Sequence, residues 1–532
     1  MSFKINKFSF LIVISILLIN CKSVERYNAK LVQPISAEKL HKDIDYTQHK
    51  LKKLYPNLYG YISKEKLDFK FDSIRKVVNK PMTSKEFYFV ISPVIASVRQ
   101  GHMIMMPVIK KLSKNESRRF KKMGDGPLSQ FSFEWENDKL YVIKNKSVHK
   151  KIKLGSEVVA INSVTPQSIY KKYRNSFTAD GFNTTYIRKG FSKRFSLFIT
   201  NEIGINDSLN YDFKFKDSLY SKVVSRIKFK KKLSRKEVVT IKDSSKVIAK
   251  NKIDRKSIQS ERRMKRIYGF SKINNEYAKS LQFLDSSRSV AILKIKNFSD
   301  GNYRKAYAAL FDSIKNYSVQ NLIIDIRDNP GGKVAEVVNL YSYLTDKNFV
   351  LLQPAIVTSK TSMFKIGLFK NIPKVSYPIA ALFYPFYMGF SYLRTTKNDD
   401  GSFQYKLIGS RETSFATNNY KGKIYVIING GSFSASCILS ASLKSNPNVV
   451  FVGEETGGAF NGTVAGIMPV VNLPNSKIPL RLGLMDIKTI NQTEVVGRGI
   501  FPDVGITFTV ENKVKNNDPQ LDWILDEIKK KS

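Results

Sequence analysis

The sequence predicts an α+β multidomain chain: an N-terminal helical segment, a small β-domain, and an α/β domain with a mostly parallel sheet. Three observations predict it. The 532 residues suggest about two to four domains, and 42% apolar with 25% charged residues supplies material for sizeable cores. Hydrophobic spacing is helical near the N-terminus and then alternates with the period of strands. From Ser289 onward, strand-like and helix-like stretches alternate, as they do in parallel sheets with crossover helices.

The N-terminus reads as a targeting segment. Lys4 and Lys7 precede the apolar run Phe8 to Ile19, and Cys21 follows. Twelve residues, almost wholly apolar, are too few to span a bilayer comfortably, which favours a signal peptide over a membrane helix. Leu18-Ile-Asn-Cys21 resembles a bacterial lipobox, with Asn20 bulkier than the usual residue there. That resemblance implies lipidation at Cys21 and a chain exported to the bacterial cell envelope. It would be lipid-anchored to the inner or outer membrane and face the periplasm. The bland alternative is an ordinary signal peptide with a coincidental cysteine. The other cysteine is Cys437, so a lipidated chain forms no internal disulfide and relies on core burial.

The helical segment runs from about Ser36 to Met106. Thr83-Ser-Lys-Glu86 forms a capping box, Pro93 interrupts the following apolar run, and Gly101-His102 ends it. From Gly124 to Thr200 the alternation suggests strands, including Lys139-Leu-Tyr-Val-Ile143 and the turn and strand Lys153 to Asn162. The latter resembles the core of a PDZ domain, with Ser156 and Ser163 in place of Asp and Gly. PDZ domains bind extended peptide ends by strand addition; the alternative is a small β-domain without a ligand.

A net charge of +45 bears on partners rather than fold. Arg226 to Arg266 alone carries seventeen Lys or Arg against four acidic residues. That run reads as a solvated linker or insertion, or as a contact for an anionic envelope surface. Zinc-ligand spacing, a basic region with heptads and an aromatic RNA-binding signature are all missing, so a nucleic-acid partner is not expected.

In the α/β part, Val290 to Ile295, Asn321 to Ile326, Lys423 to Ile428 and Val449 to Gly453 read as strands. Helices are expected over Asn302–Tyr317, Val334–Leu344 and Ser434–Leu443. Ile372 to Leu393 is rich in Tyr, Phe and Pro; its three prolines argue against a membrane helix. It reads as a packed insertion, a cleft lining or a lipid contact.

Ser434 sits where a strand ending in Asn429-Gly-Gly passes into a helix. Helix N-termini offer free N–H groups and a dipole that favours negative charge, so an oxyanion beside this serine would be stabilised. Serine is also a common helix cap, and that reading competes. A second loop, Asp328-Asn-Pro-Gly-Gly332, emerges at the same sheet edge, and Gly331 and Gly332 could add backbone N–H donors.

Three stretches carry a family resemblance: Asp325-Ile-Arg-Asp-Asn-Pro-Gly-Gly332, Ser432-Phe-Ser-Ala-Ser-Cys437 and Val452-Gly-Glu-Glu-Thr-Gly-Gly458, with Gly499-Ile-Phe-Pro-Asp503 following. In order and spacing they resemble the tail-specific, C-terminal-processing and tricorn-core serine peptidases. The resemblance covers roughly residues 36 to 510. It implies a catalytic domain of the ClpP/crotonase type preceded by a PDZ-like module. It also implies Ser434 as nucleophile, an oxyanion hole from Gly331, Gly332 and Ala435, and a polypeptide substrate without metal or other cofactor. One branch uses a lysine 25 residues after the serine, but Ala459 stands there. The tricorn-like branch uses a histidine from the N-terminal region. Of His41, His49, His102 and His149, His102 in Arg99-Gln-Gly-His-Met103 matches that place. The branch's orienting glutamate would fall at Val496; Glu494 is the nearest carboxylate. Asp325 and Glu454 occupy positions that hold loops.

The resulting division is 1–20 signal peptide, 21–110 helical region, 111–225 PDZ-like domain and 226–275 basic linker or insertion. Then come 276–510, the serine peptidase domain, and 511–532, a C-terminal helix or tail. The function expected is a cell-envelope serine endopeptidase or C-terminal-processing peptidase. A catalytically impaired, peptide- or envelope-binding lipoprotein on the same scaffold is the alternative.

Overall fold

A computed structural model describes residues 24–227, 257–362 and 376–531. The signal peptide, Cys21 and most of the basic run lie outside the described residues.

The α/β domain is organised by a six-stranded sheet. Its order is Val504–Gly505, Val449–Gly453, Lys423–Ile428, Asn321–Asp325, Val290–Ile295, Lys279–Phe283. Every neighbouring pair is parallel except the last, where Lys279–Phe283 runs antiparallel on the edge. Side-chain alternation divides its residues between two cores. Leu322, Ile324, Val426 and Ile428 join the main core with Phe311, Val337 and Leu439 of helices Tyr303–Asn316, Val334–Ser342 and Ala435–Leu443. Ile292, Ile323, Tyr425 and Ile427 pack instead on Ile524 and Ile528 of helix Pro519–Lys531. The segment expected as a C-terminal helix or tail contains a helix that forms a layer on this sheet. Its two isoleucines cover apolar sheet positions that would otherwise face water.

A second sheet of five strands runs Thr395–Lys397, Phe403–Tyr405, Ala355–Val357, Met485–Lys488, Gly462–Ala465. Helix Tyr377–Leu393 leads into its first strand. The prolines do not prevent that helix. Pro378 lies in the first turn, where its missing N–H costs nothing, and Pro385 is accommodated inside.

The β-domain is a five-stranded antiparallel sheet: Phe131–Glu136, Lys139–Asn145, Glu157–Ile161, Ser208–Phe215, Ser218–Ser225. The strand reading of 124–200 is corrected by helix Thr185–Ile203, which breaks it with buried Phe191, Phe195, Phe198 and Ile199 at helical spacing. Three N-terminal helices, Ala37–Leu54, Lys64–Val77 and Ser84–Ala96, precede it, the last opened by the capping box at Thr83 and Glu86. They are tied to the α/β part: buried Asp43 accepts the amides of Asn475 and Ser476 at 2.8 and 2.7 Å, and Ile104–Met105 pairs with Pro479–Arg481.

One buried charge pair stands out in the core. Lys279 Nζ lies 2.8 Å from Glu336 Oε1, both side chains are fully enclosed, and Tyr307 donates to the same oxygen at 3.1 Å. Removing one partner strands the other charge without water. Glu336→Ala is therefore expected to lower unfolding free energy by about 3–5 kcal/mol, read by chemical denaturation. A change below about 1 kcal/mol would mean the lysine finds other compensation.

Candidate active site

Strands Asn321–Asp325, Lys423–Ile428 and Val449–Gly453 are parallel neighbours, so the loops that follow them share one sheet edge. Short bonds lock these loops together. The Phe433 amide and the Ser436 hydroxyl both donate to the Asn329 carbonyl at 2.9 Å. Asn429 Oδ1 accepts the amides of Asp328 and Gly431 at 2.9 and 2.8 Å. Ser432 donates to the Ile326 carbonyl at 2.8 Å, and the Gly457 amide donates to the Ser432 carbonyl at 2.9 Å. Among them Gly331 takes φ +92°, and a Cβ there would lie 2.7 Å from the Ala435 nitrogen and 2.8 Å from Ser434 Cβ. Only glycine allows that approach.

Ser434 itself has φ 58° and ψ −116°, in the region that favours glycine, and its side chain makes no capping bond. The helix-cap reading therefore does not describe it. The strained turn leaves its hydroxyl uncommitted at the start of helix Ala435–Leu443. Ser434 lines a cavity of about 10 Å³ with Asp180, Cys437, Ile438, Ala459, Gly462, Thr463 and Thr489. That is room for about one water molecule. Ala459, at the position of the other branch's lysine, thus shares the cavity but brings no base.

The oxyanion assignment needs one correction. The Gly331 amide donates to Asn329 Oδ1 at 2.9 Å, so it is directed into its own loop. The amides of Gly332 and Ala435 make no hydrogen bond among the described residues.

His102 lies on the loop after helix Ser84–Ala96, and its ring is 4.8 Å from that of Phe433, the residue before Ser434. Phe433 in turn stacks on Tyr186 at 4.3 Å. A Cβ on Gly101 would come within 2.6 Å of the Phe433 ring, so glycine beside His102 admits this aromatic contact. His102 is 7% exposed, and its Nε2 is buried without a hydrogen-bond partner among the described residues. Burial, helped by nearby Arg481, lowers its pKa to about 3, so the ring is neutral at ordinary pH.

The remaining carboxylate differs from expectation. Glu494 is exposed on the loop before Gly497 and has no contact with His102 among the described residues. Asp180 is the acid that meets this region. Its Oδ1 accepts the Gly101 amide at 2.7 Å and the Thr463 hydroxyl at 3.1 Å, while Oδ2 is buried and the Ala459 backbone amide also favours the charged form. Thr178 and Gly181 add bonds of 2.8 Å to the Met103 and Arg99 carbonyls, so the strap 178–181 holds the histidine loop. Two residues past the strap the chain reaches the third loop, where Asn183 donates to the Thr456 carbonyl at 2.7 Å. Burial raises the Asp180 pKa to about 6 against the bonds that favour its charge. In the sequence, Asp180-Gly181 looks like any turn, and no local pattern marks it.

Two acids set aside as structural hold loops. Asp325 pairs with Arg327 at 2.8 Å, and Glu454 pairs with Arg188 at 2.5 Å. No His, Cys, Asp or Glu cluster among the described residues has the form of a metal site.

Residues 289–506 match the model of peptidase family S41. Over 180 residues the chain is 25% identical to the tail-specific protease of Haemophilus influenzae, a match spanning 34% of this chain and 18% of that one. Among solved structures, mature CPAF complexed with lactacystin superposes with a TM-score of 0.57 at 14% identity, covering 93% of this chain and 98% of that one. Mature CPAF alone gives 0.55 at 14% identity, covering 93% and 97%. At these identities the structures establish a shared fold.

The buried Asp180 carboxyl has a measurable signature. Its pKa is about 6 when folded against an ordinary 3.8, so the folded chain holds this proton more tightly. Stability from the group is fully present below about pH 4 and is lost as pH rises through 6. Wild type should therefore lose about 2 kcal/mol relative to Asp180→Asn between pH 4 and 7. His102 shifts stability in the opposite direction in both proteins and cancels from the difference. Denaturant melts across that range check it; parallel curves would show that Asp180 is not buried as described.

Proposed function

We propose that this chain, which carries a peptidase family S41 domain, is a cell-envelope serine endopeptidase or C-terminal-processing peptidase working through Ser434 and His102. The observation that carries the reading is the backbone of Ser434. A non-glycine residue held at positive φ, with glycine backbone packed against it and its hydroxyl uncommitted, suits a nucleophile better than a helix cap.

In this reading Ser434 attacks the peptide carbonyl. The amides of Gly332 and Ala435 receive the developing oxyanion. His102, neutral because it is buried, accepts the serine proton and returns it to the leaving amine. Its Nε2 has no hydrogen-bond partner among the described residues, so substrate binding would bring ring and hydroxyl together, with Phe433 as the side chain that moves. Asp180 positions the histidine loop through Gly101. The five-stranded β-domain would serve as a PDZ-like module presenting an extended polypeptide end. The mechanism calls for no metal. Export and anchoring through a lipidated Cys21 complete the proposal.

A second reading has its own support. The occupied Gly331 amide and the unengaged His102 also suit a binding protein on a peptidase scaffold.

A fluorophosphonate probe separates the two. Wild type should be labelled at Ser434, Ser434→Ala should not, and His102→Ala should react about 100-fold or more slowly. No labelling of wild type, together with peptide binding that survives Ser434→Ala, would establish the binding reading instead.

A further inference from the structure

Helix Tyr377–Leu393 has seventeen residues and no charged side chain, yet Ser391 alone is buried. Ile379, Leu382, Phe383, Phe386, Phe390 and Leu393 are 56–82% exposed. Their spacing of three, one, three, four and three residues places them on one stripe along the helix. At 1.5 Å per residue the stripe is about 21 Å long. A continuous apolar surface of this size is covered by something in the working protein.

Charge decides what covers it. Between Asp346 and Asp399 the sequence carries seven Lys or Arg and no acidic residue. Among the described ones, Arg394 packs on the Phe390 ring at 5.1 Å and Lys360 on the Tyr392 ring at 4.0 Å, with Lys397 nearby. Cations therefore gather at the C-terminal end of the apolar stripe. A second copy docked on the same stripe offers an apolar face but, between Asp346 and Asp399, no acidic residue to meet these cations, which disfavours self-association. A membrane with anionic headgroups satisfies both features, taking the stripe into its acyl boundary and the cations at its surface.

We infer that helix Tyr377–Leu393 lies in the interface of an anionic bilayer and docks the protein there. It does not span: no described helix is long and apolar enough to cross a membrane. The helix leads into the edge strand Thr395–Lys397, and the opposite edge strand of that sheet, Gly462–Ala465, contributes two residues to the Ser434 cavity. Four strand spacings separate them, about 19 Å. If the peptidase reading holds, docking sets the site at a fixed height above the lipid; docking itself does not depend on that reading.

The test uses the chain from residue 22, so that neither the N-terminal apolar run nor a lipid at Cys21 contributes, with Phe386→Trp as reporter. Vesicles of phosphatidylcholine with about one-third phosphatidylglycerol should shift the added emission to the blue. Brominated acyl chains should quench it, and the effect should persist at about 0.5 M salt, where binding through the basic run alone is screened. Leu382→Glu with Phe386→Glu, both on exposed positions, should weaken vesicle co-sedimentation at this salt about tenfold or more while leaving the thermal melt unchanged. Absence of quenching, or equal sedimentation of this double variant, overturns the inference. So does a wild type that is dimeric and ignores vesicles while the double variant is monomeric, which would assign the stripe to a second copy.

Discussion

The Asn329 carbonyl accepts both the Phe433 amide and the Ser436 hydroxyl, and the position of Ser434 between them depends on that pair of bonds. The two loops belong to neighbouring parallel strands, so the sheet brings them side by side and the carbonyl fixes their register. Gly331 then approaches the Ser434 backbone too closely for any side chain. Asn329 is fully buried and spends its own amide on the Ile295 carbonyl, which ties the arrangement to a third strand. The positive φ of Ser434 is sustained because its surroundings leave the turn no easier path.

On this frame the other elements meet from far away in sequence. Residues 178–183 come from the segment just before helix Thr185–Ile203, yet they hold the His102 loop on one side and reach the loop after Val449–Gly453 on the other. Asp180 is central to them, with one oxygen bonded to the His102 loop and the other buried. Phe433 links the two halves of the site, since it follows the anchored loop and rests on His102.

The basic character of the chain gains a local meaning at helix Tyr377–Leu393. Apolar residues and cations are both common on protein surfaces, and singly neither needs explanation. Here they are sorted, with an uncharged stripe and cations at one of its ends. Sorting of this kind suits a boundary between headgroups and acyl chains, where one helix meets two solvents.

Much of the α/β part was legible in the sequence. Its strands are short apolar runs buried on both faces, and its loops carry glycines at fixed distances from Asp325 and Ser434. Local chemistry suffices for such features because a tight turn or a strand needs only its own residues. The helix Thr185–Ile203 was missed because Gly190 and polar residues blur its apolar spacing. The covering role of Pro519–Lys531 was missed because a helix does not announce which sheet it packs against. The glycine pattern pointed to Ser434 as the centre of a site, but which N–H groups face it was decided by Asn329 turning its side chain to Gly331. His102 could be named from its motif, whereas Asp180 could not: its importance comes from burial and from one bond to an amide 79 positions away. Sequence determined the local turns and strands, where the forces act between near neighbours. Tertiary structure alone decided the carboxylate, because desolvation and hydrogen-bond partners are properties of the folded surroundings and not of the residue.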